Sequence, residues 1–400
     1  MALSGQTQPN VFRLTEKLVN ISYNMLSYGM NIDDYNFELL AAVERNDSAG
    51  VAFLLPKSNP QHKHSLPFRK AAQLGHIECL KILLPVSDPT AADSGALTMA
   101  AGNGHLECVQ FLIPFSNFKA NDSNALVLAA QNGHTPCVAA LLPLSDPNAM
   151  FGNAVITSAK NGHRACVQLL APVTKPEYCS AALIHAAYEG QLECISLLLS
   201  RADATFQSSR ALCEAAGEGY TDCVVALLPY SNAQARDSEA LRVAAQNGHV
   251  DCVKLLIPFS DPHAKNSAAL TAAAQGGSVE CVEALLSVSP STTHIYHALA
   301  TAAHQGHTDV VRLLISHVNP KNNNSLALEL ALARGHTQCA RLLFPISDRN
   351  IVWEKLNDQW NTGAEKAIWM PLWEELERER LHQTLSAVTA SAGTIQRRKI

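Results

Sequence analysis

The apolar positions of this chain form a pattern that restarts about every 29 residues. Residues 71–89 read AAQLGHIECLKILLPVSDP, with small and aliphatic side chains three and four apart on either side of a Gly-His pair. The arrangement returns nine more times. Its marker glycines are Gly75, Gly104, Gly133, Gly162, Gly190, Gly219, Gly248, Gly277, Gly306 and Gly335, spaced by 29 residues with a single step of 28. A period of this length describes a supersecondary unit that buries its apolar face only by stacking on its neighbours. In the copy around Gly104, Ala96, Leu97, Ala100 and Ala101 share one face of a predicted helix, and Ser94 before them is the expected N-cap. Ser123, Ser180, Ser209, Ser238, Ser267 and Ser325 recur at that place. Gly104 suits the left-handed residue that closes a helix, and Cys108, Val109 and Leu112 mark a second helix. A proline two residues past that leucine, as at Pro85, Pro114 and Pro258, stops the second helix, and Ser-Asp-Pro at 87–89 or 260–262 signals a turn.

Both ends depart from the period. Residues 1–33 do not fit it, but Val11, Leu14, Leu18, Ile21 and Met25 fall on one face and predict a capping helix. Residues 37–60 align as a degraded first copy in which Asn46 takes the marker-glycine place, asparagine being the best substitute for glycine in a left-handed conformation. Past Asp348 the repeat stops, and Trp353, Trp360, Trp369 and Trp373 all lie in these last residues. The stretch 364–388 is amphipathic, with Trp369, Leu372, Trp373, Leu376 and Leu381 available to one face, Pro371 near its start, and a flexible tail expected over 391–400. The organisation is therefore a cap over 1–33, a repeat array over 34–349 and a tryptophan-rich helical segment over 350–400. That last segment reads as a cap on the final repeat, with a docking helix for a partner as the alternative. The 28-residue step removes one residue from the loop at 173–178, a cheap deletion in a surface loop.

The motif AAxxGHxxCVxxLL resembles the ankyrin repeat, its AA, GH and LL matching in order and spacing over about residues 37–348. The resemblance implies an all-α helical solenoid. The copies here are about four residues shorter than the family repeat and lack its Thr-Pro-Leu-His start, so a shortened, mostly non-β loop is expected in place of the β-hairpin finger. Family histidines after the glycine tie adjacent loops together, which is the role implied for His76, His105, His134, His163, His249, His307 and His336. The residues just before the Gly-His pair line a concave, protein-binding groove in such stacks. Carried over position by position, they are Gln73, Asn103, Gln131, Asn132, Lys160, Tyr188, Glu189, Glu218, Gln246, Gln275, His304 and Arg334, to which Trp369 and Trp373 add a second candidate contact.

Composition narrows the chemistry further. Of the 400 residues 47% are apolar and 16% charged, with a net charge of −5, so a continuous core is available and no Lys/Arg stripe suggests nucleic acid. No apolar run reaches the roughly 20 residues that span a bilayer. Nine of the 11 cysteines occupy one repeat position, Cys79 to Cys339. Stacked helices lie about 8–10 Å apart while a disulfide needs Cα atoms within about 7 Å, so these thiols are expected to be buried, free and in a reducing compartment. Six of the ladder cysteines lie three residues past a Gly-His histidine, yet zinc wants four converging ligands, so no metal or cofactor is expected. Cys179 and Cys213 lie off the ladder and are the only candidates for a nucleophile. No phosphate-binding glycine loop, nucleophile elbow or HExxH pattern occurs. The expectation is a non-enzymatic, cytoplasmic or host-delivered protein-binding module, with inhibitor or effector as the roles it would fit. The alternative is an enzyme or enzyme-recruiting adaptor acting through the C-terminal helix or an off-ladder cysteine.

Overall fold

A computed structural model of the chain describes residues 31–288, 291–359 and 363–397. The expected capping helix at 11–25 lies outside the described residues. The fold divides into two compact units, the first holding the described residues up to 186 with 193–203, the second holding 187–192 with those from 204 onward. The division falls in the repeat that follows the 28-residue step.

Within the first unit the copy around Gly104 shows the plan. A helix Ala91–Gly102 ends at the turn, a second helix Leu106–Leu112 returns, and a 3-10 turn Ile113–Phe115 carries Pro114. First helices His62–Leu74, Ala91–Gly102, Ala120–Gln131 and Ala149–Lys160 stack on one another, and second helices Ile77–Leu83, Leu106–Leu112, Thr135–Leu141 and Arg164–Leu170 do the same. Leu97, Ala100, Ala101, Cys108, Val109 and Leu112 are all buried between them. Alanine pairs let the backbones approach, while each buried leucine contributes about 1.5–3 kcal/mol by leaving water. The second unit repeats the plan, from Phe206–Gly217 and Thr221–Leu227 to Leu326–Ala333 and Thr337–Leu343. No strand occurs among the described residues, so the all-α solenoid is observed. Gly75, Gly104, Gly133 and their counterparts have φ of +72 to +82°, apart from Gly190 at +70°, and Asn46 has φ +55° at the same place in the first copy.

The expected N-cap role of the repeated serine is corrected. Ala92, Asp93 and Ser94 each have φ between +53 and +59°, a left-handed turn closed by the Ser94 N–H donating to the Thr90 carbonyl at 2.9 Å. The Ser94 hydroxyl, being buried, accepts from the Asn117 N–H of the next copy at 2.9 Å. Ser65, Ser123, Ser180, Ser209, Ser238 and Ser325 each accept from the N–H 23 residues on, whereas Ser267 pairs with His294 Nδ1 at 2.8 Å. The serine thus joins two copies instead of capping one helix. These left-handed turns occupy the loop where a β finger would project. The copy shortened by one residue lacks one: its helix Pro176–Tyr188 begins at proline, whose φ suits a first helical residue, and contains no left-handed residue. The Ser-Asp-Pro turns form as expected, with Asp88 Oδ1 accepting from the Thr90 N–H at 2.9 Å.

The C-terminal segment forms helices Arg349–Gln359 and Gly363–Arg397, both packed on helix Leu326–Ala333 of the last repeat. Pro371 lies inside the long helix rather than at its start. The helix continues through 391–397, where a flexible tail was expected. Trp369 is fully buried, with Leu372, Trp373 and Leu376 nearly so, whereas Leu381 is 52% exposed and does not share that face. Trp353 meets Trp369 edge-on at 5.7 Å, and Phe344 meets Trp373 at 5.1 Å. Ion pairs pin the rim: Arg341 to Glu375 at 2.6 Å and Glu379 at 3.0 Å, and Arg349 to Glu377 at 2.9 Å. Lys355 reaches the buried carboxylate of Glu329 at 3.0 Å. This is a cap that takes the place of a further repeat.

Candidate functional site

The candidate surface is built at the end of each first helix, where the glycine reverses the chain. A Cβ on Gly75 would lie 2.5 Å from Nδ1 of His105, and the imidazoles of His134, His163, His249, His307 and His336 sit in the same way on the glycine of the copy before. His105 Nε2 is 2.9 Å from the Gln73 carbonyl, two residues before that glycine. A carbonyl only accepts, so Nε2 carries the proton. His163, His307 and His336 make the same 2.9 Å bond to Gln131, Gln275 and His304. These four histidines are therefore ties between copies, in keeping with the role the resemblance implied for them.

Asparagines just before the glycine share this work. Asn132 Nδ2 donates to the Gly102 carbonyl at 2.6 Å, Asn161 to Gln131 at 2.8 Å and Asn247 to Gly217 at 2.6 Å, while Asn103 turns back to its own helix at Met99, 2.8 Å away. Two of the residues expected to face a partner, Asn103 and Asn132, thus engage backbone carbonyls. Asn161 and Asn247, absent from the expected set, do the same. Trp369 and Trp373 are committed to the cap core.

The remaining expected residues divide between the units. In the first unit Gln131 and Lys160 are exposed and Gln73 is half-buried. The second unit holds Tyr188, Glu189, Glu218, Gln246, Gln275, His304 and Arg334, with Tyr188 48% exposed. Gln246 accepts from Arg242 Nη1 at 2.9 Å, and Arg242 also grips Glu239 through Nη2 at 2.7 Å and Nε at 3.1 Å. Arg334 Nε donates to His304 Nε2 at 3.1 Å. One copy in the second unit carries smaller side chains: Ala268, Thr271 and Ala272 floor a cleft of about 420 Å³ between Arg242 and His297, with Gln275 on its wall. Sequence reasoning missed this cleft, although the run of small residues in 268–274 marks it. It also missed Met150 and Phe151, 46% and 79% exposed on a left-handed turn of the first unit.

The thiols offer no activated nucleophile. Burial pushes Cys108, Cys194 and Cys223 up to about 11. Thr135 Oγ1 lies 3.3 Å from Cys166 Sγ, a contact repeated at Thr221 with Cys252 and Thr308 with Cys339. Off the ladder, Cys179 is fully buried with Sγ 3.7 Å from the Ala171 carbonyl, and Cys213 is pushed up to about 11 by burial and then by the nearby Glu239. A reactive thiol needs the opposite shift. Among the described residues no group of three or more His, Cys, Asp or Glu could hold a metal ion, and no helix is long and apolar enough to cross a membrane.

A family model for ankyrin repeats in sets of three matches residues 39–113, 68–151, 212–295 and 270–352. No curated protein matches the chain. Ankyrin repeats form protein-protein interaction modules and are generally non-enzymatic. With the stacked helix pairs, the left-handed glycines and the histidine ties all in register with those matches, which cover more than half of the sequence, the chain belongs to the ankyrin repeat family.

Proposed function

We propose that the chain binds one partner protein through the side chains that precede the marker glycines, without catalysing a reaction on it. The observation that carries this reading is the contrast between frame and face. Glycine, histidine and the carbonyl two residues before the glycine repeat with the same 2.9 Å geometry, while the residue two before the glycine varies among Gln131, Lys160, Tyr188, Gly217, Gln275 and His304, and the one just before it among Asn132, Glu218 and Arg334. A frame fixed in this way holds its contact residues without further ordering on binding, which favours affinity for one particular surface. Masking of the partner, as an inhibitor or effector would do, fits such steric binding. Cytoplasmic residence fits the unpaired cysteines, all but Cys213 of them buried.

The test is a pull-down from cell extract with the intact chain, beside a Tyr188→Ala/Glu218→Arg variant and a chain ending at Asp348, each checked for native circular dichroism. A partner retained by the intact chain and lost with the double substitution supports binding through this face. A partner lost only with the truncation moves the function to the C-terminal helices, and a partner indifferent to both overturns the reading.

A further inference from the structure

Resting on that reading, we infer that the first two turns of the second unit receive a basic segment of the partner, an arginine or lysine side chain held between two tyrosines and a carboxylate. The turns are 188–191 and 218–220. Where seven other copies carry histidine after the glycine, the second turn carries Tyr220. Its ring lies on Gly190 so closely that a Cβ there would be 2.8 Å from Cδ1 and Cε1. Tyr188 precedes that same glycine by two residues. Tyr220 thus lies on the glycine that Tyr188 precedes by two residues, and both tyrosines stay open to solvent, Tyr188 at 48% and Tyr220 at 39%. Elsewhere in the array the corresponding histidine is tied to a carbonyl and exposes no aromatic face of this size.

Charge decides what such a pair would take. Glu218, exposed, lies two residues before Tyr220 on the same turn, and neither turn contains a lysine or arginine. Glu189 adds a second carboxylate, although it already has a partner within the chain and the inference does not depend on it. A tyrosine face attracts a cation through its quadrupole, and a carboxylate completes a charge-assisted hydrogen bond with the same group. The far end of the unit has the opposite character, where Arg334 and His304 face outward together. An acidic or purely apolar segment would leave Glu218 opposed or unanswered at the near end, so the side-chain order favours a partner whose basic residue enters at Tyr188 and Tyr220.

The probe is a random 12-residue peptide library displayed on phage and selected on the intact chain. Enriched peptides are then measured one by one as synthetic peptides by fluorescence anisotropy at low and moderate salt. Arginine and lysine should dominate the selected peptides. Their affinity should fall about tenfold or more in Tyr188→Ala/Tyr220→Ala and several-fold in Glu218→Gln, and should weaken with salt. Tyr220→His restores the residue found in other copies and separates loss of packing from loss of the aromatic face: it should stay folded and still bind weakly. Peptides that need the tyrosines but lack basic residues would overturn this inference and leave the binding face intact. Peptides indifferent to all these substitutions, or no enrichment with the chain folded, would overturn the use of this face as well.

Discussion

His105 stands on Gly75: the glycine has φ +77°, a Cβ in its place would meet the imidazole Nδ1 at 2.5 Å, and Nε2 reaches the Gln73 carbonyl at 2.9 Å. Glycine is thus required twice, once by the left-handed backbone and once by the neighbour pressed against it. Gly75→Ala should lower stability by about 2–3 kcal/mol, combining left-handed strain with the clash. His105→Ala, which removes one hydrogen bond and some packing, should cost about 1–2 kcal/mol. The two residues touch, so the double substitution should fall short of the sum. Urea midpoints of the four proteins measure this, and strict additivity would show that the contact is not what makes Gly75 irreplaceable.

The serine that links copies gives a second expectation. Ser94 is buried and accepts from the Asn117 N–H, so Ser94→Ala leaves that amide without its acceptor and should cost about 1–2 kcal/mol. Hydrogen exchange at Asn117 should accelerate with it. Unchanged protection at Asn117 would contradict the bond. The same turn holds Ala92 at φ +53° and ψ +51°, where an L side chain costs about 1–2 kcal/mol. Ala92→Gly relieves that strain against a loss of backbone entropy and should be neutral to mildly stabilising, whereas Ala92→Val should destabilise.

These two cases show what the sequence makes legible. The period, the helix pair and the left-handed glycines were readable because each depends on residues a few positions apart, and even Asn46 could be placed by its own conformational tolerance. The role of Ser94 was not readable in the same way. Beside a predicted helix a serine looks like a cap, and its true partner lies 23 residues away in a neighbouring copy. At the candidate face the positions were legible but their engagement was not. Asn103 and Asn132 look like free contact residues in the sequence, yet the folded chain holds their side-chain amides on the carbonyls of Met99 and Gly102. Tyr220 was hidden because it occupies a place that the repeat assigns to a structural histidine.

The buried thiols make stability sensitive to alkali. Burial raises Cys108, Cys194, Cys213 and Cys223 from 9.0 to about 11 in the folded chain. Between those values the unfolded chain gives up thiol protons that the folded chain keeps, so unfolding is favoured as pH rises. The contribution of these groups is fully present below about pH 9 and disappears as pH passes through about 11. Urea titrations at pH 8, 9 and 10 should show the midpoint falling. The slope should flatten in a Cys108→Ala/Cys223→Ala variant. A thiol reagent at pH 8 should label the folded protein slowly and the unfolded protein completely, and fast labelling of Cys213 in the folded state would reopen a chemical role for it.

The last expectation concerns the cap. Trp369 is fully buried against Trp353, on a helix whose Ile368 lies where a Cβ on Gly335 would be 3.2 Å away, the place a following histidine takes at other glycines. The long helix therefore closes the final repeat at the same point by which repeats close one another, with an aliphatic side chain in place of imidazole. Trp369→Ala should cost about 3–5 kcal/mol, because it empties a large buried volume between two elements. Leu381→Ala, on an exposed part of the same helix, should change stability by less than about 0.5 kcal/mol. Arg341→Ala removes a partner of Glu375 and Glu379 at a partly exposed rim and should fall between them, near 1 kcal/mol and smaller at high salt. A chain ending at Asp348 uncovers the apolar side of helix Leu326–Ala333 and should unfold at lower urea or self-associate, as an uncapped stack does. Urea midpoints with sedimentation velocity measure all four. If Trp369→Ala proved as mild as Leu381→Ala, the helix would be a lightly held appendage, and its tryptophans would return as candidates for a partner.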